Sequence, residues 1–253
     1  MRTLIIVAVA SAFTTGAAFA DVKKVPYIEV KVDIPEPVKA DAALEAMQKA
    51  FAAAVAKKDA AAVAALVGPT FVWLSHNSPS EEFDMGRDAL HNFKVAFGFR
   101  EAGQDNDGGV AEGPFWDELA VFANDAKYYQ DVGNLICGPI VGSVRDDAAL
   151  EKAKQKIGAD DIDWYFTLGD TTVTASPGGG NTVGKIGVAA LPVLNSHPKD
   201  AEGAAITHHE VLLPSGKSGW VPKAAVRAFV NDSLCYAKTA QGEWRIAAFD
   251  QAE

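Results

Sequence analysis

Residues 206–221 read ITHHEVLLPSGKSGWV, in which two runs of β-forming residues flank a turn. Pro214, Ser215 and Gly216 favour that turn, because proline fixes φ and glycine adopts positive φ without steric cost. The stretch therefore predicts a β-hairpin. Similar runs, separated by Gly, Pro, Asn and Asp, occupy the rest of the last third of the chain: 164–168, 171–174, 188–194, 233–237 and 244–249. Many short strands in succession are typical of a small barrel or sandwich.

The chain before residue 158 shows helical spacing of its apolar residues. Leu44, Met47, Phe51 and Val55 are three or four positions apart, which predicts a helix with one buried face. Shorter stripes of the same kind predict four more helices: Val63 to Val67, Leu90 to Phe97, Phe115 to Phe122 and Leu150 to Ile157. Asp59 and either Asp146 or Asp147 are expected as N-caps, and Gly158 is expected to end the last helix.

The change of pattern between residues 157 and 163 predicts a domain boundary. We expect a signal peptide at 1–20, an extended leader at 21–40, a mainly helical domain at 41–158 and a barrel domain at 163–253. The predicted fold class is therefore α+β, with the helical domain preceding a C-terminal β-barrel.

The first 20 residues have the pattern of a secretory signal peptide. Arg2 precedes an apolar run at 4–10, and small residues precede Asp21, as a signal peptidase requires. A membrane anchor is the alternative, but a helix needs about 20 unbroken apolar residues to span a bilayer, and polar residues interrupt this run. The pattern predicts a periplasmic or secreted protein without a membrane span after cleavage.

The charge balance bears on the kind of partner. Acidic residues outnumber basic ones by 33 to 23, which gives a net charge of -10. Binding to nucleic acid depends on Lys and Arg that release phosphate counterions, so a nucleic-acid partner is not expected. The composition, with 49% hydrophobic and 22% charged residues, is that of a globular protein.

Cys137 and Cys235 are the two cysteines of the chain. An even number of thiols in an exported protein is most simply explained by one disulfide bond. The alternative is a reactive thiol, which needs a nearby base, and neither cysteine has a histidine close in sequence. We therefore predict a bond between Cys137 and Cys235.

Several segments together resemble the bacterial SH3-like (SH3b) domain. They are the strand and proline turn at 172–177, the apolar strand at 191–194, and the hairpin that ends in Gly219, Trp220 and Val221. The whole order, with FWDEL at 115–119 and GEWRIAAF at 242–249, is similar to an uncharacterised group of exported bacterial proteins that end in such a domain. The resemblance implies an SH3-like barrel and binding of a cell-wall peptide or glycan.

Four aromatic residues are the candidate ligand-binding residues: Trp164, Tyr165, Trp220 and Tyr236. Aromatic rings bury a large area against sugars and peptides, so these four would line a groove if the domain has one. The alternative is packing in the core, which is the more common position of aromatic residues in a small barrel.

The sequence contains no motif for a metal, a cofactor or a catalytic group. Of His208, His209 and Glu210, only His208 and Glu210 would share one face of a strand, and no second pair with metal-ligand spacing accompanies them. We therefore expect solvated strand histidines at 208 and 209. Residues 179–185 match GxxxxGK, yet Ile186 stands where a phosphate loop has Ser or Thr. We predict a glycine-rich hairpin there, and we assign no metal, cofactor or catalytic residue.

These features favour a periplasmic binding protein over an enzyme. The expected partner is a cell-envelope peptide, a glycan or another periplasmic protein. The first alternative is a small periplasmic hydrolase with its site in the helical domain. A purely structural partner protein is a third possibility, and it would expose a large apolar patch.

Overall fold

The computed structural model describes most of the chain after the predicted signal peptide, which itself lies outside the described residues. The described ranges are 22–75, 88–98, 112–124, 127–130, 133–160, 163–199, 206–229 and 231–251. They contain five α-helices and fourteen β-strands, which pair into two sheets. Within these ranges no helix is both long and apolar enough to cross a membrane.

The smaller sheet takes its strands from both ends of the described chain. Its order is β2-β14-β13-β4-β3, and the pairing is antiparallel except between β2 and β14. The strands are β2 (Val67–Ser75), β3 (Tyr129–Gln130), β4 (Ile136–Gly138), β13 (Ser233–Lys238) and β14 (Trp244–Gln251). The last two strands of the protein therefore complete a sheet that begins at residue 67.

The helices are short and amphipathic. They are α1 (Ala42–Ala56), α2 (Ala60–Ala64), α3 (Ala89–Ala96), α4 (Glu112–Ala123) and α5 (Asp147–Ile157). Four of them begin at an aspartate whose carboxylate accepts a hydrogen bond from the backbone N–H three positions on: Asp41, Asp59, Asp88 and Asp146. The N-caps expected at Asp59 and at Asp146 or Asp147 are thus confirmed at Asp59 and Asp146, and Gly158 ends α5 in the left-handed conformation.

Helices α1 to α4 cover the smaller sheet and share one apolar core with it. Phe51 of α1, Phe93 of α3, Leu119 of α4 and Phe249 of β14 are buried in the same cluster. The Phe97 ring lies 4.5 Å from that of Phe249, centroid to centroid. We call residues 38–138 and 231–251 the first unit.

The larger sheet has nine strands and lies between β4 and β13 in the sequence, apart from one strand near the N-terminus. Its main path is β12-β6-β9-β10-β11-β7-β8, while β1 pairs with both β9 and β5. Helix α5 packs against it. The strands are β1 (Val30–Asp33), β5 (Ser143–Val144), β6 (Trp164–Thr167), β7 (Thr171–Ser176), β8 (Gly179–Ile186), β9 (Ala189–His197), β10 (His208–Leu212), β11 (Ser218–Pro222) and β12 (Val226–Ala228). We call residues 22–34 and 140–229 the second unit.

The predicted fold class, a mainly helical domain followed by an SH3-like barrel, is wrong. Strands make up 40% of the described residues and helices 28%, and the described strands form no closed barrel. The chain before residue 158 contains β1 to β5, several of them too short to leave a sequence pattern. The strands β13 and β14, predicted for the barrel, pair instead with β4 and β2. The domain limits given by the sequence remain a prediction.

The predicted cysteine pair is confirmed at disulfide-bonding distance. Cys137 of β4 lies directly opposite Cys235 of β13, and both residues are completely buried. The chain leaves the first unit just after β4 and returns just before β13. The cysteine pair therefore joins the two strands between which the second unit is inserted.

Candidate functional site

The four predicted ligand-binding aromatic residues do not come together. Trp164 is buried in the core of the second unit, with its ring 5.9 Å from that of Tyr27. Tyr236 is buried in the core of the first unit, 5.7 Å from the ring of Tyr128. These two residues therefore pack in two separate cores, as the alternative interpretation of the aromatic residues expects.

Tyr165 and Trp220 are partly exposed but belong to opposite faces of the larger sheet. The Tyr165 ring lies 5.1 Å from that of the buried His209. Trp220 is the cross-strand partner of Glu210, and successive residues of a strand point to opposite faces. Trp220 is thus the one predicted ligand-binding residue on the outer face of β10 and β11.

A set of polar side chains surrounds Trp220 on this outer face. His208 lies opposite His197 on β9, and Glu210 lies opposite both Asn195 and Trp220. Residues directly opposite one another on neighbouring strands share a face. The His197 ring packs edge-on against the Trp220 ring at 6.0 Å. We call Asn195, His197, His208, Glu210 and Trp220 the Trp220 face.

Hydrogen bonds fix the Trp220 face to the neighbouring hairpin of β7 and β8. The backbone N–H of Gly178, in the turn of that hairpin, donates to Nε2 of His208 at 3.2 Å. Nδ1 of His208 therefore carries the proton and donates to Thr207 Oγ1 at 3.0 Å. The Thr174 hydroxyl donates to the backbone oxygen of Trp220 at 3.3 Å. These hydrogen bonds tie the His208 ring and the Trp220 backbone to neighbouring groups.

The carboxylate of Glu210, beside Trp220, is paired with a lysine of the same chain. Lys24 Nζ donates to Glu210 Oε1 at 3.0 Å and to Ser218 Oγ at 2.9 Å. The Ser218 hydroxyl in turn donates to Glu210 Oε1 at 2.7 Å. The leader segment that carries Lys24 therefore supplies the counter-charge for this part of the face.

Known proteins provide no template for this surface. No protein-family model, curated protein or solved structure matches the chain. The likeness of the second half to SH3b domains and the export of the protein both stay predictions. The function has to be argued from the residues themselves.

His209 lies on the inner face of the larger sheet, which is the face opposite to the Trp220 face. It is buried, and its Nδ1 is hydrogen-bonded to Ser196 Oγ at 3.0 Å. Burial, with smaller contributions from Lys223 and His208, lowers the pKa of His209 to about 4. His209 is therefore neutral at pH 7, and the expectation of solvated strand histidines is wrong at this position.

Glu118 is the acidic residue with the strongest sign of an unusual environment. It lies on α4, between the buried Trp116 and Leu119, and is only partly exposed. Burial, together with the charge of Asp232, raises its pKa to about 7. No role for Glu118 is predicted from the sequence. Its position inside the apolar stripe of residues 115–122 is the one sequence feature that indicates a partly buried carboxylate.

The described residues hold no group of three or more His, Cys, Asp or Glu side chains that could bind a metal ion. An apolar pocket lies in the first unit between α2, α3 and α4, with Val63, Phe93 and Phe115 among its walls. Phe115 is three positions, or about one helical turn, before Glu118 on α4.

Proposed function

We propose that this protein is an exported periplasmic binding protein that holds a cell-envelope ligand noncovalently on the Trp220 face. One observation carries the proposal: a partly exposed tryptophan, whose ring packs against His197, stands among polar side chains on the outer face of a sheet. An aromatic ring of this kind buries a large area against a ligand, and the surrounding polar groups orient what it binds.

The position of the face within the sheet supports binding. Trp220, His197 and His208 are on three adjacent strands, β11, β9 and β10, all of which are interior to the sheet. Side chains fixed by a sheet and by hydrogen bonds lose little further freedom when a ligand binds, so less of the interaction free energy is spent on ordering them.

Two features support the periplasmic location. The first 20 residues have the pattern of a signal peptide. Cys137 and Cys235 lie at disulfide-bonding distance, and disulfide bonds persist in oxidising compartments such as the periplasm. A protein in that compartment meets peptidoglycan, envelope proteins and their fragments.

Co-sedimentation with purified peptidoglycan sacculi tests this proposal. We expect the wild-type protein to sediment with sacculi and the Trp220→Ala variant to stay in the supernatant. Val121→Ala is the matched control, because Val121 is an exposed apolar residue on α4, far from the larger sheet in the sequence. Circular dichroism of each variant checks that it is folded. Equal sedimentation of wild type and folded Trp220→Ala would contradict the proposal.

A second candidate function, hydrolysis in the first unit, is favoured by Glu118. A carboxyl with a pKa of about 7 beside a second carboxylate suits general acid–base catalysis near neutral pH. Incubation of sacculi with the protein, followed by mass spectrometry of released fragments, tests it. Release by wild type and its loss in Glu118→Gln would support hydrolysis. Absence of release by the wild type would exclude hydrolysis of sacculi.

A further inference from the structure

We infer that the ligand of the Trp220 face is an uncharged glycan, a chain of hexose or N-acetylhexosamine rings, rather than a peptide. This inference rests on the proposed binding function and names the ligand class of the same face. Three observations carry it: the state of the backbone under the face, its charge, and the chemistry of its side chains.

The backbone beneath the face is not available to a ligand. Strand β10 pairs with β9 on one side and β11 on the other, and β11 also pairs with β7. The polar groups of these strands are therefore used within the sheet. Peptides that add to a sheet bind through backbone hydrogen bonds at an exposed edge. A ligand of the Trp220 face meets side chains instead.

The charge of the face fits a neutral ligand. Glu210 is the carboxylate next to Trp220, and it is paired with Lys24 at 3.0 Å. The Glu210 side chain retains 19% of its exposure and the Lys24 side chain 54%, so the carboxylate is largely covered and the ammonium group is accessible. Because the two charges balance, an anionic ligand would compete with Glu210 for Lys24, whereas an uncharged ligand leaves the pair intact.

The remaining side chains match a sugar chain. The Trp220 ring offers a flat apolar surface to the C–H face of a pyranose ring. Asn195 uses its side-chain oxygen to accept from the Ser196 N–H at 2.9 Å, so its amide nitrogen is the end that donates to a ligand. The exposed His197 ring adds a nitrogen donor and a nitrogen acceptor for hydroxyl groups.

Nuclear magnetic resonance titration of the full chain tests the inference. The probes are N-acetylglucosamine tetramer and a peptidoglycan stem pentapeptide. Each is followed through the backbone N–H signals of His208 and Glu210, which the Trp220 variants retain, and in the wild type also through the indole N–H signal of Trp220. We expect saturable shifts with the tetramer and none with the peptide. Affinity should fall at least tenfold in Trp220→Ala, less in Trp220→Phe, and should not change between 0.05 and 0.5 M NaCl.

The outcomes separate this inference from the proposed function. Shifts with the peptide alone, or tetramer affinity that falls steeply with salt, overturn the neutral-glycan inference and leave binding at the face intact. Sedimentation with sacculi without any tetramer shift also overturns the glycan inference. If neither probe shifts the signals of the face and the protein does not sediment with sacculi, the proposed function is overturned as well. His197→Ala is a second variant, expected to weaken tetramer binding because it removes both a hydrogen-bonding ring and the ring that packs against Trp220.

Discussion

Glu118 makes the stability of the protein depend on pH in a definite direction. Its pKa is about 7 in the folded protein and 4.5 when unperturbed. Between these values the folded state binds the proton more tightly than the unfolded chain. The resulting stabilisation is complete below pH 4.5 and is lost as the pH rises through 7. Because the side chain is partly exposed, we expect the loss to be about 1 kcal/mol.

The Glu118→Gln variant isolates this effect, because glutamine does not ionise. Relative to wild type, the variant should gain about 1 kcal/mol in free energy of unfolding between pH 4.5 and pH 8. Urea denaturation across that range measures the difference. Asp117→Asn, an exposed change on the same helix, is the control and should show a much smaller trend. Parallel curves for wild type and Glu118→Gln would show that the Glu118 pKa is not raised.

His209 acts in the opposite direction. Its pKa is about 4 in the folded protein and 6.5 when unperturbed, so in this interval the unfolded chain binds the proton more tightly. Its contribution to stability is present above pH 6.5 and is lost as the pH falls towards 4. We expect a loss of about 2 kcal/mol, which His209→Gln should abolish. A histidine ring titration with a midpoint at or above 6.5 for His209 would refute this.

The end of α5 provides a test at the scale of a single element. Gly158 has φ of 75°, and a Cβ added there would meet no atom within 4 Å. Gly158→Ala therefore costs only backbone strain, about 1 kcal/mol. Gly169→Ala is the matched control, since its surroundings are equally open and its φ is not positive. Equal losses of stability for the two variants would contradict the left-handed cap.

The elements themselves were largely predictable from local patterns. The apolar stripes located the helices, and the capping residues Asp59, Asp146 and Gly158 mark helix ends as expected. The predicted helical stripe from Val63 to Val67 extends too far, because α2 ends at Ala64 and Val67 begins β2. Each of the seven predicted β-runs contains a strand. The pattern failed where strands are only two or three residues long, as in β3, β4 and β5, because so few residues cannot show alternation. For residues 179–185, which belong to β8, the pattern predicted only a glycine-rich hairpin.

The candidate site was predictable only in part. The sequence named Trp220 together with three aromatic residues, and neither composition nor spacing separates a core tryptophan from a surface one. Trp164 and Tyr165 are adjacent on β6, so at most one of them could share a face with Trp220. The environment of Glu118 depends on Asp232, which is more than 100 positions away. Such contacts follow from strand pairing, which local patterns do not specify.

At the scale of the whole molecule, the sequence pattern predicts the strands but not which strands pair with one another. Seven runs of β-formers near the C-terminus predict one barrel if neighbouring strands pair in order. In the structure, β13 instead pairs with β4, and β14 pairs with β2. Tyr236 of β13 and Phe249 of β14 thereby complete the apolar core beneath α1 to α4. The burial gained in that core decides the pairing, and it arises between segments far apart in the chain.

The cysteine pair should contribute strongly to the stability of this arrangement. Cys137 and Cys235 are 98 positions apart, and in the chain-entropy model closing a loop of that size stabilises by about 4 to 5 kcal/mol. The Cys137→Ala/Cys235→Ala variant should lose about that much free energy of unfolding in urea. Wild type in excess reductant is the control and should lose a similar amount. A loss below about 1 kcal/mol in both would contradict the expected role.

Hydrogen–deuterium exchange of the full chain, with and without soluble peptidoglycan fragments, tests the central claim most directly. If the outer face of the larger sheet holds the ligand, the fragments should slow exchange in peptides that cover His197, His208 and Trp220. Peptides from α4 and β13, around Glu118 and Asp232, should exchange at unchanged rates. Protection confined to α4 and β13, or no protection in β9 to β11, would contradict binding at the Trp220 face.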